Sequence, residues 1–312
     1  MDDIAVIIPC LNEELTIAEV VGDFRRALPD ARVYVFDNNS TDATAALAAS
    51  AGAIVCRERT QGKGAVVRRA FREVDARCFV LVDGDGTYPA EAAAELVEPI
   101  LCGEADMVVG DRLSQTYPKE NKRPFHLSGN RLVRWAVKVA FGADVSDVMT
   151  GYRALSRQFV KSFPVLSTGF EIETEMTIHA ADKRMRTQDV PVAYRDRPQG
   201  STSKLRTFSD GAKVLALTMR LFCTYRPFVF FGGIAALLCA TSVAFLLPVL
   251  ASFAQTGLVE RFPTLIVCCF ALLTALLFFF AGLILQCLRR RELADFEMRL
   301  LQICRDDAQG PC

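Results

Sequence analysis

The sequence predicts an α/β domain built on a mostly parallel sheet, followed by an amphipathic helix and a two-helix transmembrane hairpin. Three observations carry that prediction. Short β-branched runs alternate with helical spacing at least four times before residue 111. The loops after the strands are polar, and sheets covered by helices on both faces bind ligands beyond the carboxyl ends of their strands. Two apolar runs, Phe228–Phe253 and Phe262–Leu288, hold no Asp, Glu, Lys or Arg. At ~1.5 Å per residue, each is long enough to cross a hydrocarbon core of ~30 Å.

Ile4–Ile8 is a β-branched strand closed by Pro9, with Cys10-Leu11-Asn12-Glu13-Glu14 on the loop after it. Helical spacing follows from Leu15 to Ala27. A second strand, Arg32–Phe36, ends in Asp37-Asn38-Asn39-Ser40-Thr41-Asp42, which can cap the Ala-rich helix Thr41–Ala51. Ala53–Cys56 is the third strand, and Gln61-Gly62-Lys63-Gly64 opens a helix running to about Val74. The fourth strand, Phe79–Val82, runs into Asp83-Gly84-Asp85-Gly86-Thr87. A helix over Ala90–Leu101 and a strand over Asp106–Gly110 complete the regular part. Farther on, a helix is expected near Leu127–Phe141 and a turn into a short strand at Asp147–Arg153. The acids of Gly169–Glu175 fall in the first turn of another helix, where the helix dipole favours them. Val190–Tyr194 reads as a strand and Arg195–Lys204 as a basic loop. Phe208–Tyr225 reads as an amphipathic helix at a membrane surface, and Glu292–Ile303 as a short charged helix beyond the hairpin. Composition therefore divides the chain into an α/β domain over 1–205, a juxtamembrane helix over 206–226, a hairpin over 227–288 and a tail over 289–312.

Lys+Arg and Asp+Glu are equal at 36 each, so the neutral chain offers no basic footprint for nucleic acid. The 11 cysteines include no CxxC pair, and Cys239, Cys268 and Cys269 sit in apolar runs as small hydrophobes. Reduced thiols place the soluble part in the cytoplasm. The acidic start, Met1-Asp2-Asp3, enters a strand at once, so no signal peptide is expected. Arg220 and Arg226 flank the hairpin on one side and Arg289-Arg290-Arg291 on the other, which puts both ends in the cytoplasm.

Asp83 and Asp85 are the chemical focus. If the extended backbone persists past the strand, residues i and i+2 share a face and the two carboxylates point the same way. Paired hard oxygens suit Mg²⁺ or Mn²⁺, which in turn hold phosphates. The glycines beside them, Gly84 and Gly86, let the chain turn and a ligand come close. A polar turn after a strand would use the same residues. What favours a site is that Asn12-Glu13, Asp37, Lys63, Asp83/Asp85 and Asp111-Arg112 all fall on loops at one rim of the sheet. His126 and His179 are isolated in the sequence and read as ordinary polar residues.

Ile8-Pro9-Cys10-Leu11-Asn12-Glu13, Asp37–Asp42, Gly62-Lys63-Gly64, Asp83-Gly84-Asp85 and Thr150-Gly151-Tyr152-Arg153, in this order, resemble the family 2 inverting glycosyltransferases. The resemblance is nearest to the polyprenyl- or dolichyl-phosphate sugar synthases, and the paired C-terminal helices resemble their bacterial branch. It implies the nucleotide-binding fold called GT-A, an inner-membrane enzyme of cell-envelope glycan synthesis, and a nucleotide-sugar donor. A UDP-sugar such as glucose or an N-acetylhexosamine is favoured, with GDP-mannose the alternative. The acceptor would be undecaprenyl-type polyprenyl phosphate, and relatives with this tail assemble as tetramers. By the same resemblance Pro9, Leu11, Asn12 and Glu13 line the base and ribose, Asp37 accepts from the base, and Lys63 faces the nucleotide. Asp83 lies by the ribose or sugar, and Asp85 holds a metal bridging the diphosphate. Thr87 stands where many relatives carry a Gln metal ligand, so water or its hydroxyl would fill that place. Arg112, with Arg123 and Ser128, would hold the acceptor phosphate, while Arg197, Ser203 and Lys204 match a loop closing over the diphosphate. A lipid phosphate is already anionic, so catalysis would rest on positioning and charge, in a single inverting displacement.

Two other classes share parts of this pattern. Asp83-Gly84-Asp85-Gly86-Thr87 fits the nucleophile motif of haloacid-dehalogenase-type phosphatases, but three strands precede it and Gly110-Asp111 offers no clear second acid pair. An inactive membrane-anchored nucleotide-sugar binder would not need Asp83, Asp85 and Arg112 together.

Overall fold

The computed structural model describes residues 2–112, 135, 138–139, 147–169, 171–193, 195, 223–259 and 261–308, the last three by backbone alone. Arg123, His126, Ser128, Arg197, Ser203 and Lys204 lie outside the described residues, as do most of the expected helices at 127–141 and 208–225. The chain divides into two compact units, Met1–Gly211 with Met298–Cys312, and Ala212–Glu297.

In the first unit the chain runs β1 (Asp2–Cys10), α1 (Ile17–Ala27), β2 (Arg32–Asp37), α2 (Thr44–Ser50), β3 (Ile54–Arg57), α3 (Lys63–Glu73) and β4 (Ala76–Leu81). A 3₁₀ turn leads into α4 (Ala93–Leu101), then β5 (Met107–Asp111), β6 (Arg153–Ser156), α5 (Arg157–Ser162), α6 (Ile172–Asp182) and β7 (Thr187–Pro191). The seven strands among the described residues form one sheet in the order β3-β2-β1-β4-β6-β5-β7. Only β6 runs antiparallel to its neighbours, so the sheet is mostly parallel, as expected. From β1 the chain builds outward through β2 to β3 and then returns to place β4 on the other flank. The direction of building therefore reverses between β1 and β4, where open α/β sheets form a ligand crevice. β4 delivers Asp83 to that point.

Alternation along the central strands sorts the core into two faces. Ile4, Val6, Ile8 and Cys10 of β1 pack with Val21 and Phe24 of α1 and Leu96 of α4. Ala5 and Ile7 face the other way, onto Val66, Val67 and Phe71 of α3, Phe159 of α5 and Met176 of α6. Ile7 and Ile8 are both fully buried, worth about 1.5–3 kcal/mol each.

Local departures from the expected boundaries have identifiable causes. α2 starts at Thr44, after Ala43 at the N-cap, and Asp42 just before it accepts from the Thr44 N–H at 3.0 Å. α5 was not expected; Ser156 caps it by accepting from the Phe159 N–H at 3.1 Å. β7 sits three residues earlier than the apolar pattern indicates, because pairing with β5 sets its register, Met107 opposite Thr187.

In the second unit, α7 (Pro227–Thr256) begins with proline in its first turn and ends at Gly257, whose φ of 69° closes it. α8 runs unbroken from Phe262 to Ala308, so the tail helix expected at 292–303 is its continuation. No Gly or Pro stands between Gly282 and Ala308 to stop it. Both helices are long and apolar enough to cross a membrane. Their buried residues recur every seven positions, Ala235, Ser242 and Val249 on α7 and Cys268 and Ala275 on α8. Gly282 continues the second series, where an added Cβ would stand 3.1 Å from Phe231 Cβ. A seven-residue repeat of small side chains lets antiparallel helices approach closely.

His179 is no ordinary surface residue: it is buried on α6, edge-on to Phe159 and Phe163 at 5.5 and 5.1 Å. Burial, with Lys183 adding to it and Asp182 opposing, pushes its imidazole down to about 4. A folded-state value below the unfolded value means the unfolded chain binds the extra proton, so stability is lost as pH falls below about 6.5. Between pH 7 and 4.5, His179→Leu should gain on the wild type by about 2–3 kcal/mol in chemical denaturation. Parallel acid profiles for the two proteins would contradict this.

Candidate active site

The sequence-predicted residues on the first loops converge at the C-terminal ends of β1 and β2. Asn12 takes a left-handed conformation (φ 53°), which suits an Asn side chain that bonds locally. Its Oδ1 accepts from the Thr41 N–H at 2.8 Å, and its own N–H donates to Ser40 Oγ at 2.9 Å. The Glu13 N–H donates to Thr44 Oγ1 at 2.8 Å, so the two loops are stitched together. Buried Asp37 accepts from the Ser40 N–H at 3.2 Å. Cys10, paired with Asp37 in register, puts Pro9 and Leu11 beside this corner.

Asn38, to which the sequence pointed only as part of a polar cluster, ties three elements together. Its backbone N–H donates to Cys10 O, and its Nδ2 donates to Glu58 O and Thr60 O. Its Oδ1 accepts from the Gly62 N–H at 2.7 Å and so fixes the start of α3, where Lys63 stands. The glycines beside Lys63 serve close backbone approach. A Cβ at Gly62 would collide with Thr168 O and one at Gly64 with Ser167 O, and Gly62 has a φ of 127°.

β4 ends at Leu81, so the two aspartates lie on a turn and the shared-face expectation lapses. Their carboxylates have separate surroundings. Asp85 is buried, and its Oδ1 accepts from the Thr87 hydroxyl at 2.6 Å and the Thr87 N–H at 3.2 Å. Thr87 is thus a donor to Asp85. The turn is anchored by the Thr16 hydroxyl, which donates to Gly84 O at 2.7 Å. A Cβ on Gly84 would lie 2.6 Å from Cys10 Sγ.

Asp83 meets Lys63 at 2.5 Å, and Lys63 meets Glu173 of α6 at 2.5 Å. Burial alone would push Lys63 down, but the two carboxylates outweigh it and hold the ammonium protonated above the ordinary lysine range. Burial pushes Glu173 up, Lys63 pulls it down, and the like charge of Asp83 again raises it. Only the helix-dipole role of Glu173 was legible; its place beside the apolar stripe Ile172, Met176 and Ala180 was the unused signal. Gly151 backs this triad, since an added Cβ would collide with Asp83 Oδ2 and stand 3.0 Å from Lys63 Nζ.

Arg112, at the end of β5, clasps Asp147 with two parallel bonds, Nε to Oδ2 at 2.7 Å and Nη2 to Oδ1 at 3.2 Å. Asp147 is fully buried and also accepts from the Met149 N–H at 3.1 Å. The sequence singled out Arg112 but not this partner. No group of three or more His, Cys, Asp or Glu able to hold a metal occurs among the described residues. Asp85 fits a cation that takes one or two protein carboxylates and completes its shell with substrate phosphates.

A mostly parallel sheet with an acid-lined rim at its point of reversal defines a nucleotide-binding α/β enzyme domain. The profile described as "Glycosyl transferase family 2" matches residues 5–162. Glycosyltransferase AglJ of Haloferax volcanii is 36% identical over 243 residues, 78% of this chain and 79% of its own. The dolichyl-phosphate hexose transferase of the same organism is 31% identical over 217 residues, 68% of this chain and 91% of its own. Glucosyl-3-phosphoglycerate synthase from Mycobacterium tuberculosis, solved with Mn²⁺, UDP and glucosyl-3-phosphoglycerate, shares the fold at a TM-score of 0.55. That likeness covers 72% of this chain and 80% of the other, at 23% identity. The chain belongs to glycosyl transferase family 2. Its fold is GT-A, and the phosphatase alternative is set aside.

Gly151→Ala should force Asp83 and Lys63 apart and lower glycosyl transfer about 100-fold with the circular dichroism unchanged. Transfer within twofold of wild type would show that the pair has no part in activity.

Proposed function

We propose that the protein moves a sugar from a nucleotide-sugar to the phosphate of a membrane polyprenyl phosphate, with inversion at the anomeric carbon. The observation that carries this reading is that one chain holds both the acid-lined family 2 rim and two membrane-length helices. A relative named for dolichyl-phosphate hexose transfer supports the acceptor class. A GT-A neighbour solved with UDP and Mn²⁺ supports a UDP-sugar, with glucose or an N-acetylhexosamine the sugars to test. A relative named dolichol-phosphate mannosyltransferase, from Pyrococcus furiosus at 27% identity, keeps GDP-mannose as the second donor to test.

In this reading Pro9, Leu11, Asn12, Glu13 and Asp37 receive the nucleoside, and Asp83, steadied by Lys63, meets the ribose or sugar. Asp85 would hold Mg²⁺ or Mn²⁺, which supplies positive charge against the leaving diphosphate. Asp147 orients the Arg112 guanidinium with two bonds, and Arg112 serves the acceptor phosphate. Arg123, Ser128, Arg197, Ser203 and Lys204 are assigned to the acceptor and diphosphate by family resemblance. The acceptor oxygen is already anionic, so the reaction needs cations that position it and no general base. In this reading the domain over 1–205 and both termini lie in the cytoplasm, the hairpin lies in the inner membrane, and the chain forms a homo-oligomer.

Detergent-purified protein given short polyprenyl phosphate, Mg²⁺ or Mn²⁺ and labelled UDP- and GDP-sugars should move label from one donor into the lipid phase. Asp85→Asn should abolish transfer at any practical metal level, whereas Arg112→Ala should chiefly raise the KM for lipid phosphate. Nucleotide binding without transfer would replace this reading with a non-enzymatic one. Cysteines placed at Gln255 and Gln309 in a cysteine-free background should label from opposite sides of the membrane. Same-side labelling would exclude the hairpin.

A further inference from the structure

Among the described residues, Arg153 is one of the largest side chains with no solvent exposure. Among the described residues, none of its hydrogen bonds goes to a carboxylate. Its Nε donates to Thr150 O at 3.1 Å and its Nη2 to Val148 O at 2.8 Å, both in the turn before β6. Nη1 donates to Thr177 Oγ1 on α6 at 2.9 Å and to Met107 Sδ on β5 at 3.4 Å. Burial pushes this guanidinium down to about 10, with Glu173 and Asp147 the two largest charges that oppose the shift. Each of those acids already has a cation of its own, Lys63 and Arg112.

The turn that Arg153 holds is the one both halves of the site lean on. At one end Asp147 clasps Arg112. At the other, Gly151 lies against Asp83 and Lys63, and its N–H donates to Tyr88 Oη at 3.1 Å. Charges therefore alternate from Asp83 through Lys63, Glu173, Arg153 and Asp147 to Arg112. A packed hydrophobe would serve stability as well as or better than a buried cation of this kind. Its planar fork instead fixes the carbonyls at positions 148 and 150 relative to α6.

We propose that Arg153 is a positioning residue that sets the donor-side Asp83 and the acceptor-side Arg112 through the single turn 147–151. This rests on the roles given to those two residues in the function proposed above. Thr177→Val removes one anchor of the guanidinium at nearly constant volume and is gentler than truncating Arg153. In the full-length protein it should raise hydrogen exchange at the Gly151 and Tyr152 amides about 10-fold. It should also raise the KM for both UDP-sugar and polyprenyl phosphate about 10-fold, and Thr177→Ser should restore all three. Arg153→Lys, which keeps the charge and loses the fork, should behave like Thr177→Val. Unchanged exchange at the two amides, or a rise in only one KM, would overturn the proposal. Should the wild type move no sugar to lipid phosphate, the function itself fails. The exchange measurement needs no substrate and still decides whether Arg153 holds the turn.

Discussion

A lysine ammonium closed between two carboxylates is the constraint around which the rim is arranged. Lys63 stands 2.5 Å from both Asp83 and Glu173, with little of its side chain exposed. Leaving buried Glu173 unpaired in such a place costs about 3–5 kcal/mol, so the three groups must arrive together. Three unlinked stretches of sequence meet that demand. The Asn38 amide fixes the start of α3, the close of β4 delivers Asp83, and α6 brings Glu173. Glycine at 62, 64 and 151 follows from the same demand, because backbone or charged atoms occupy the space a Cβ would need.

The antiparallel β6 makes the arrangement possible. In a wholly parallel sheet, the neighbour of β4 would begin at the opposite edge and end at the rim. Because β6 runs the other way, its first residue, Arg153, lies opposite Leu81 and Val109, at the mouths of β4 and β5. The turn before it, Thr150-Gly151, therefore lies between the Asp83 turn and the Arg112 strand end.

The parallel core was legible because its strands are buried on both faces and read as unbroken apolar runs, Ile4–Ile8 and Phe79–Val82. The loops after them were legible because Asp, Asn and Gly cluster where strands stop. β7 was misplaced because it is an edge strand whose Thr187-Gln188-Asp189 carries no apolar signal, and only pairing with β5 fixes it. Glu173 and Asp147 escaped notice for a different reason. Each makes sense only beside a partner from far along the chain, Lys63 or Arg112, and neither spacing nor composition encodes that distance. The long α8 was divided at Arg289-Arg290-Arg291 because charge marks the end of an apolar run, but charge does not end a helix.

The division of labour between the two aspartates follows from their partners. Asp83 is bound to a lysine ammonium, which in the proposed function leaves it as a fixed acceptor of hydrogen bonds. Asp85 accepts from the Thr87 hydroxyl and amide on one oxygen, which fixes the plane of the carboxylate. In the proposed function, that fixed carboxylate is the one that would hold the divalent ion. Under the proposed function, an anionic phosphate acceptor brings its own nucleophilic oxygen and asks of the protein only placement and positive charge.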